Sequence, residues 1–268
     1  MEVFMNITTY HIDAFTNHIF SGNPAMVCLL ESWLPDSTLQ IIAAENNLPV
    51  TAFLMCKDKN FSIRWFTPEY ELDLCGHGTL ASGYVIFNKL ESSLKETSLH
   101  FKNGLLKIKR ECEFIVFDFP TKNLEPCLPL SLLNQGLGKT PQEIYHDNVD
   151  RYFAVFNTEE DIQQLKPNID ILRQLDYRGI IVTAPGKACD FVSRVFYPRK
   201  LISEDAVTGA SHCFLVPYWA KRLNKRQFQS RQLSQRGGEL LCELDGDRVV
   251  IKGKAVLYMQ GLIVIDKN

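Results

Sequence analysis

The chain has 268 residues, 46% of them apolar and 22% charged, with a net charge of −2 at pH 7. That length fits one large domain or two of ordinary size, and the apolar share supports a full core. The near-balance of charge argues against nucleic-acid or membrane-surface binding; the densest basic stretch, Lys221 to Arg236, reads as a solvated helix end and loop.

Ile7 to Phe15 reads as a strand, Ser21-Gly22-Asn23-Pro24 as a turn and Ala25 to Leu30 as a second strand. Pro35-Asp36-Ser37 opens a helix, with Ser37 as N-cap, Gln40 completing a capping box and Leu39, Ile42 and Ala43 forming its apolar face. Asn46-Asn47 and Pro49 end it. Thr51 to Cys56 and Phe61 to Phe66 are strands, and Thr79 to Leu90 is apolar almost all round, which predicts a buried central helix. Leu99 to Phe101, Leu105 to Lys109 and Phe114 to Phe119 are short strands. Pro120 to Pro141 reads as a linker.

The second half repeats this order. Tyr152 to Phe156 is a strand, Thr158 caps a helix from Glu159 to Leu165, and Gly179 to Ala184 and Asp190 to Tyr197 are strands. A second apolar helix runs from about Val207 to Leu223, and five short strands follow to Ile265. The first twenty residues, broken by Asn6, His11, Asp13 and Asn17, do not read as a secretion signal, and no apolar run approaches the ~18 residues that span a bilayer. The eight cysteines lack C-x-x-C spacing and read as reduced, mostly buried thiols, so a cytoplasmic location is expected.

The halves share a motif. Arg64-Trp65-Phe66-Thr67-Pro68 leads to Leu74-Cys75-Gly76-His77-Gly78-Thr79, and Arg194-Val195-Phe196-Tyr197-Pro198 leads to Glu204-Asp205-Ala206-Val207-Thr208-Gly209-Ala210-Ser211-His212. Each is a strand, a turn and a Gly-containing helix start, where unpaired N–H groups and the positive end of the helix dipole suit a carboxylate. Two such starts predict a pseudo-twofold α+β molecule holding a small anionic substrate in the cleft between its halves.

These residues resemble the PhzF-like family, named for the phenazine-biosynthesis isomerase, which shares its fold with diaminopimelate epimerase. The match runs through Asp13-Ala14-Phe15-Thr16 with Gly22-Asn23-Pro24, Ala44-Glu45-Asn46-Asn47-Leu48, Phe66-Thr67-Pro68 with Cys75 to Thr79, Glu204-Asp205 with Val207-Thr208-Gly209, and Ser234-Gln235 before Gly238-Glu239. The resemblance implies two domains, each a β-sheet rolled around a central helix. The first would be residues 1–120 joined by the last strand, about 258–268, and the second 121–257. It also implies a homodimer. The epimerases carry a cysteine before each central helix; here Cys75 stands at the first position and Ala206 is read at the second, which excludes a two-cysteine racemase. PhzF-like enzymes use a glutamate as proton carrier, and Glu45 matches it, with His77 and Asp205 as its polar partners. Two departures bear on the substrate: Ala210 replaces a common Ser, with Ser211 one place later, and Ala206 replaces a Pro.

Residue chemistry agrees with these roles. Glu45 falls in the last turn of its predicted helix, and burial in a cleft there would suit a group that both takes and returns a proton. Its other reading is an exposed helix-end carboxylate. His77 between two glycines can approach a ligand closely. Asp205 can serve as N-cap and as a site residue, while Glu204 reads as structural or outward-facing and Cys75 as a packing residue. Gly76, Gly78, Thr79, Thr208, Gly209, Ala210 and Ser211 would line the substrate carboxylate. A zinc site from Cys75, His77, His212 and Cys213 has suitable ligand types but poor spacing, since His212 and Cys213 are helix neighbours that point apart. Gly76-His77-Gly78 lacks the third Gly of a dinucleotide fingerprint. The expected protein is a cofactor-independent, metal-free isomerase of a small carboxylic acid. The alternative is a non-catalytic binding or interaction member of the same fold.

Overall fold

The computed structural model describes residues 4–57 and 60–266. The chain divides into two compact units: one takes the chain up to Asp118 and again from Lys252 on, the other Phe119–Ile251.

In the first unit, strand Phe4–Ala14 pairs antiparallel with both Asn23–Leu30 and the final strand, Ala255–Asp266. Asn23–Leu30 runs parallel to Val50–Lys57, which pairs antiparallel with Asn60–Phe66; that strand runs parallel to Glu96–Phe101. Helix Gly76–Val85 is buried along nearly its whole length against the first three of these strands. Its all-round apolar character dictates that place. It continues as a π-helical turn, Ile86–Leu90. Helix Asp36–Asn46 covers the other sheet face, packing Leu39, Ile42 and Ala43 on Ile7, Met26, Phe53 and Phe66. With helices on both faces, Asn23–Leu30 is buried almost throughout.

In the second unit, Arg151–Val155 runs parallel to Gly179–Pro185, which pairs antiparallel with Phe191–Phe196. Phe191–Phe196 runs parallel to Gln227–Gln232, whose antiparallel partner is Gly238–Asp245. Helix His212–Leu223 is the buried one; its Trp219 stacks on Phe191, and its indole Nε1 donates to Thr183 Oγ1 at 3.0 Å. On the opposite face the short helices Ser131–Leu137, Glu159–Gln164 and Ile169–Leu172 supply Leu133, Leu137, Ile162 and Leu172 to a second core.

Several expectations need correction. Helix Asp36–Asn46 has Pro35 at its N-cap and no side-chain cap. Gln40 Nε2 instead donates to Thr67 O at 2.9 Å, tying the helix to the loop that follows strand Asn60–Phe66. Pro120 to Pro141 is not a plain linker: it holds strand Glu125–Pro126 and helix Ser131–Leu137, and Gly136 lets that helix meet Leu172, where a Cβ would fall 2.3 Å from Cδ2. The first central helix begins at Gly76, not Thr79, and the second follows a 3₁₀ turn, Gly209–Ser211. Four strands, not five, follow Leu223 among the described residues, because Ala255–Asp266 runs unbroken through the unobstructed Gly261. Thr158 does cap its helix, in a reciprocal box with Asp161. No helix among the described residues is long and apolar enough to cross a membrane.

Gly22 has φ +69°, and a Cβ there would lie 2.3 Å from Ala14 O. Gly22→Ala is expected to destabilise the first unit by at least about 2 kcal/mol, read as a lower denaturant midpoint for that unit's transition.

Candidate functional site

Each helix start hangs from an arginine. Arg64 lays a fork on Glu71, Nε to Oε1 and Nη2 to Oε2, both at 2.7 Å, with its guanidinium 5.1 Å from the Phe66 ring centre. Arg194 does the same to Glu204, at 2.7 and 2.9 Å, over the Phe196 ring at 5.0 Å. In both units the glutamate sits on a two-residue strand paired to the arginine's strand, Glu71 opposite Phe66 and Glu204 opposite Phe196. Glu204 is thus structural, as its sequence position suggested.

Counting on from the paired glutamates aligns the two starts. Cys75, extended at φ −142°, is the N-cap before Gly76, and Thr208, at φ −110°, is the N-cap before Gly209. The counterpart of Cys75 is therefore Thr208 and not Ala206. There is still no second thiol. The same register sets Thr79 opposite His212, and both reach back one turn: Thr79 Oγ1 donates to Cys75 O at 2.6 Å, and His212 Nδ1 donates to Thr208 O at 3.1 Å.

At the first start, His77 is buried, with Nδ1 3.5 Å from Cys75 Sγ. Gly78 is required by packing: a Cβ would lie 2.7 Å from Trp65 Cδ1 and 3.3 Å from Cys75 Sγ. The amides of Gly76 and Gly78 precede the first intrahelical bond, Thr79 N to Cys75 O at 3.0 Å. At the second start, Asp205 is half-buried and is not the N-cap; its Oδ2 accepts the Thr208 hydroxyl at 2.6 Å. Ser211 donates both N–H and Oγ–H to Thr208 O, so the hydroxyls of Thr79, Thr208 and Ser211 are engaged inside their own turns. Ala210 is the least buried residue of its 3₁₀ turn.

Glu45 does lie in the last turn of its helix, which ends at left-handed Asn47. Contrary to the expected burial it is exposed, and among the described residues its carboxylate makes no hydrogen bond or ion pair. The structure thus joins Cys75, His77 and Thr79 in one unit and Asp205, Thr208, Ser211 and His212 in the other. Sequence reasoning missed Gln232, which holds the second start: Thr208 N donates to its Oε1 at 2.9 Å.

Of the residues weighed as zinc ligands, His212 already uses both ring nitrogens, Nδ1 toward Thr208 O and Nε2 toward Ser230 Oγ at 2.9 Å. Burial pushes the Cys213 thiol up to about 12. Among the described residues no group of three or more His, Cys, Asp or Glu is placed to hold a metal.

Comparison with known proteins gives these geometries a context. The family described as phenazine biosynthesis-like protein matches residues 12–261. An uncharacterized isomerase of Pseudomonas aeruginosa is 43% identical over 259 residues, 97% of this chain and 99% of that protein. A crystal structure of a phenazine biosynthesis protein of the PhzF family from Enterococcus faecalis superposes with TM-score 0.93 at 41% identity, covering 97% of this chain and 99% of that one. A hydroxyproline epimerase from Agrobacterium vitis, with bound trans-4-hydroxy-L-proline, shares the fold alone: TM-score 0.64 at 10% identity, over 100% of this chain and 94% of that one.

Burial holds His212 neutral, its pKa pushed down to about 4. The unfolded chain takes up that proton near 6.5, so the second unit's stability falls as pH drops from about 6.5 toward 4, by up to roughly 3 kcal/mol from this residue. In His212→Gln that part of the slope is expected to vanish in denaturant titrations between those pH values.

Proposed function

The chain belongs to the phenazine biosynthesis-like family of isomerases, and we propose from that premise that it moves a proton within a small, cyclic or amino-bearing carboxylic acid. In this reading the Glu45 carboxylate accepts the proton from one carbon and returns it to another, without cofactor or metal. His77 and Asp205 bind and polarise the substrate. The substrate carboxylate is met by helix-start amides, for which Gly76, Gly78, Gly209 and Ala210 are the candidates. The homodimer that the resemblance implies belongs to the same proposal, and sedimentation equilibrium checks it.

One observation carries the reading. The chain keeps both helix starts and both polar partners, yet the residue equivalent to Cys75 is Thr208. Racemisation by two thiols needs one on each face of the reacting carbon. Transfer by a single carrier needs only one group that accepts and then donates. A threonine hydroxyl already bonded to Asp205 supplies no second base. The exposure of Glu45 bears on the transfer: a carboxylate open to water exchanges its proton with solvent, so the hydrogen it returns to carbon carries the solvent isotope.

The test is solvent deuterium uptake in D₂O, followed by NMR over a panel of cyclic amino and hydroxy acids that includes trans-4-hydroxy-L-proline. Glu45→Gln keeps the size and hydrogen bonding of the side chain but cannot accept a proton, and exchange is expected to fall by about 10²–10⁴-fold. Cys75→Ala is expected to stay within a few-fold of the parent. Exchange that survives in Glu45→Gln and disappears in Cys75→Ala would assign the thiol as the base. No uptake with any panel acid would favour a non-catalytic member of the fold.

A further inference from the structure

Strand Gln227–Gln232 turns a polar face inward. Ser230 and Gln232, two residues apart and so on one side of the strand, are both buried. Both side chains reach the stretch between residues 205 and 212, and Ser230 Oγ also lies 3.3 Å from Leu240 O. Ser230 Oγ meets His212 Nε2 at 2.9 Å. Gln232 Oε1 accepts Thr208 N–H at 2.9 Å, and its Nε2 donates to Asp205 O at 2.7 Å. Just past the strand, Ser234 Oγ donates to Ala206 O at 2.6 Å. The orientation of the Gln232 amide follows from chemistry, since a backbone N–H can only donate and a carbonyl can only accept. The amide therefore clamps both ends of the Asp205–Thr208 turn. With the backbone held, the Thr208 hydroxyl is aimed at Asp205 Oδ2, 2.6 Å away.

The first unit provides an internal control. Phe61 pairs with Leu99 as Phe191 pairs with Ser230, each three residues before the forked arginine. Leu99 thus corresponds to Ser230, and Phe101 to Gln232. Leu99 is fully buried, and Phe101 packs edge-on against Trp65 at 5.7 Å. Asp205 lies opposite Val195, and its counterpart Leu72 lies opposite Trp65. The same strand pairing and the same helix start are therefore built once with Leu72 and Phe101 and once with Asp205 and Gln232. The fold does not require polarity at position 232; the polarity there accompanies the carboxylate at 205.

We propose that Gln232 is a positioning residue for Asp205, a role that rests on reading Asp205 as a substrate-binding group. It fixes the turn so that the carboxylate faces substrate with one oxygen already tied to Thr208. Gln232 itself, nearly inaccessible, does not touch the substrate.

Two variants of the full chain separate this from a stitch that merely holds the fold. Gln232→Met keeps the length and removes all three side-chain hydrogen bonds, the third being Nε2 to Thr208 Oγ1 at 3.4 Å; the apolar Phe101 in the first unit shows that such a side chain is compatible with the architecture. Gln232→Glu keeps the acceptor for Thr208 N–H and loses the donor to Asp205 O. The readouts are the Thr208 amide proton, the ¹³C carboxyl resonance of Asp205 assigned by its loss in Asp205→Asn, the melting temperature, and deuterium uptake by the panel acids. In Gln232→Met both resonances are expected to move and uptake to fall on the order of 10- to 100-fold, carried by kcat more than KM, as misplacement of a polarising group implies. In Gln232→Glu the Thr208 amide is expected to stay downfield while the Asp205 resonance still moves. If Gln232→Met lowers the melting temperature yet leaves the Asp205 resonance in place, Gln232 is a structural stitch and the proposal falls. If Gln232→Met does not fold, the Gln232→Glu pair of resonances decides by the same criterion. Should the resonances move as expected while the parent protein exchanges no panel acid, the functional reading fails and the placement of Asp205 by Gln232 stands.

Discussion

A guanidinium forked onto a glutamate and laid over a phenyl ring stands beneath each helix start. This contact holds a two-residue strand to its neighbour and so fixes where the chain leaves the sheet before turning into the buried helix. An exposed ion pair would be too weak for that task. Here the arginines are mostly buried and bind bidentately, which makes the contact stronger and directional. Arg194 also donates to Ile162 O and Leu165 O, the carbonyl end of helix Glu159–Gln164, and so ties that helix to the same point. Arg64 reaches instead to Asp36 in the first turn of helix Asp36–Asn46. Each fork therefore anchors an outer helix as well as an inner one.

Much of this was legible in the chain. The repeated Arg-x-Phe-x-Pro, the apolar helices and the turn at Asn46-Asn47 gave the elements and their duplication. The pairing of the two helix starts was harder. The second half carries three extra residues between its arginine and its glutamate, so counting from the arginines leads to the wrong counterpart for Cys75. Once the forks identify Glu71 and Glu204 as partners, Thr208 follows four residues on, as Cys75 does. Gln232 was invisible for a different reason. In Gln-Phe-Gln-Ser-Arg-Gln only Phe228 marks the inward face, and a strand with Ser and Gln on that side reads like one facing water. The burial of Glu45 was a consequence drawn from a role, not from a pattern, and the exposed position at the helix end is what the local sequence alone describes.

The two units use one scaffold for different environments. At the first start the residues around the N-cap are apolar or weakly polar: Trp65, Leu72, Leu99 and Phe101, with Cys75 against His77. At the second, Asp205, Thr208, His212, Ser230 and Gln232 form a hydrogen-bonded set in a region that is otherwise core. Buried polar groups cost folding free energy unless they are satisfied. The scaffold tolerates them here because the turn and the strand Gln227–Gln232 supply one another's hydrogen-bond partners.

Hydrogen bonds orient that second set. His212 is neutral, its Nδ1–H committed to Thr208 O, which leaves Nε2 to accept from Ser230. Gln232 and Thr208 are neutral as well, so what they supply to the turn and to the Asp205 carboxylate is orientation by hydrogen bonds. The full ionic partners, Arg194 and Glu204, satisfy each other one residue away. A carboxylate held in this way takes its direction from the turn that carries it. The division of labour in the Glu204-Asp205 dipeptide follows: the first carboxylate builds the turn, and the second is presented by it.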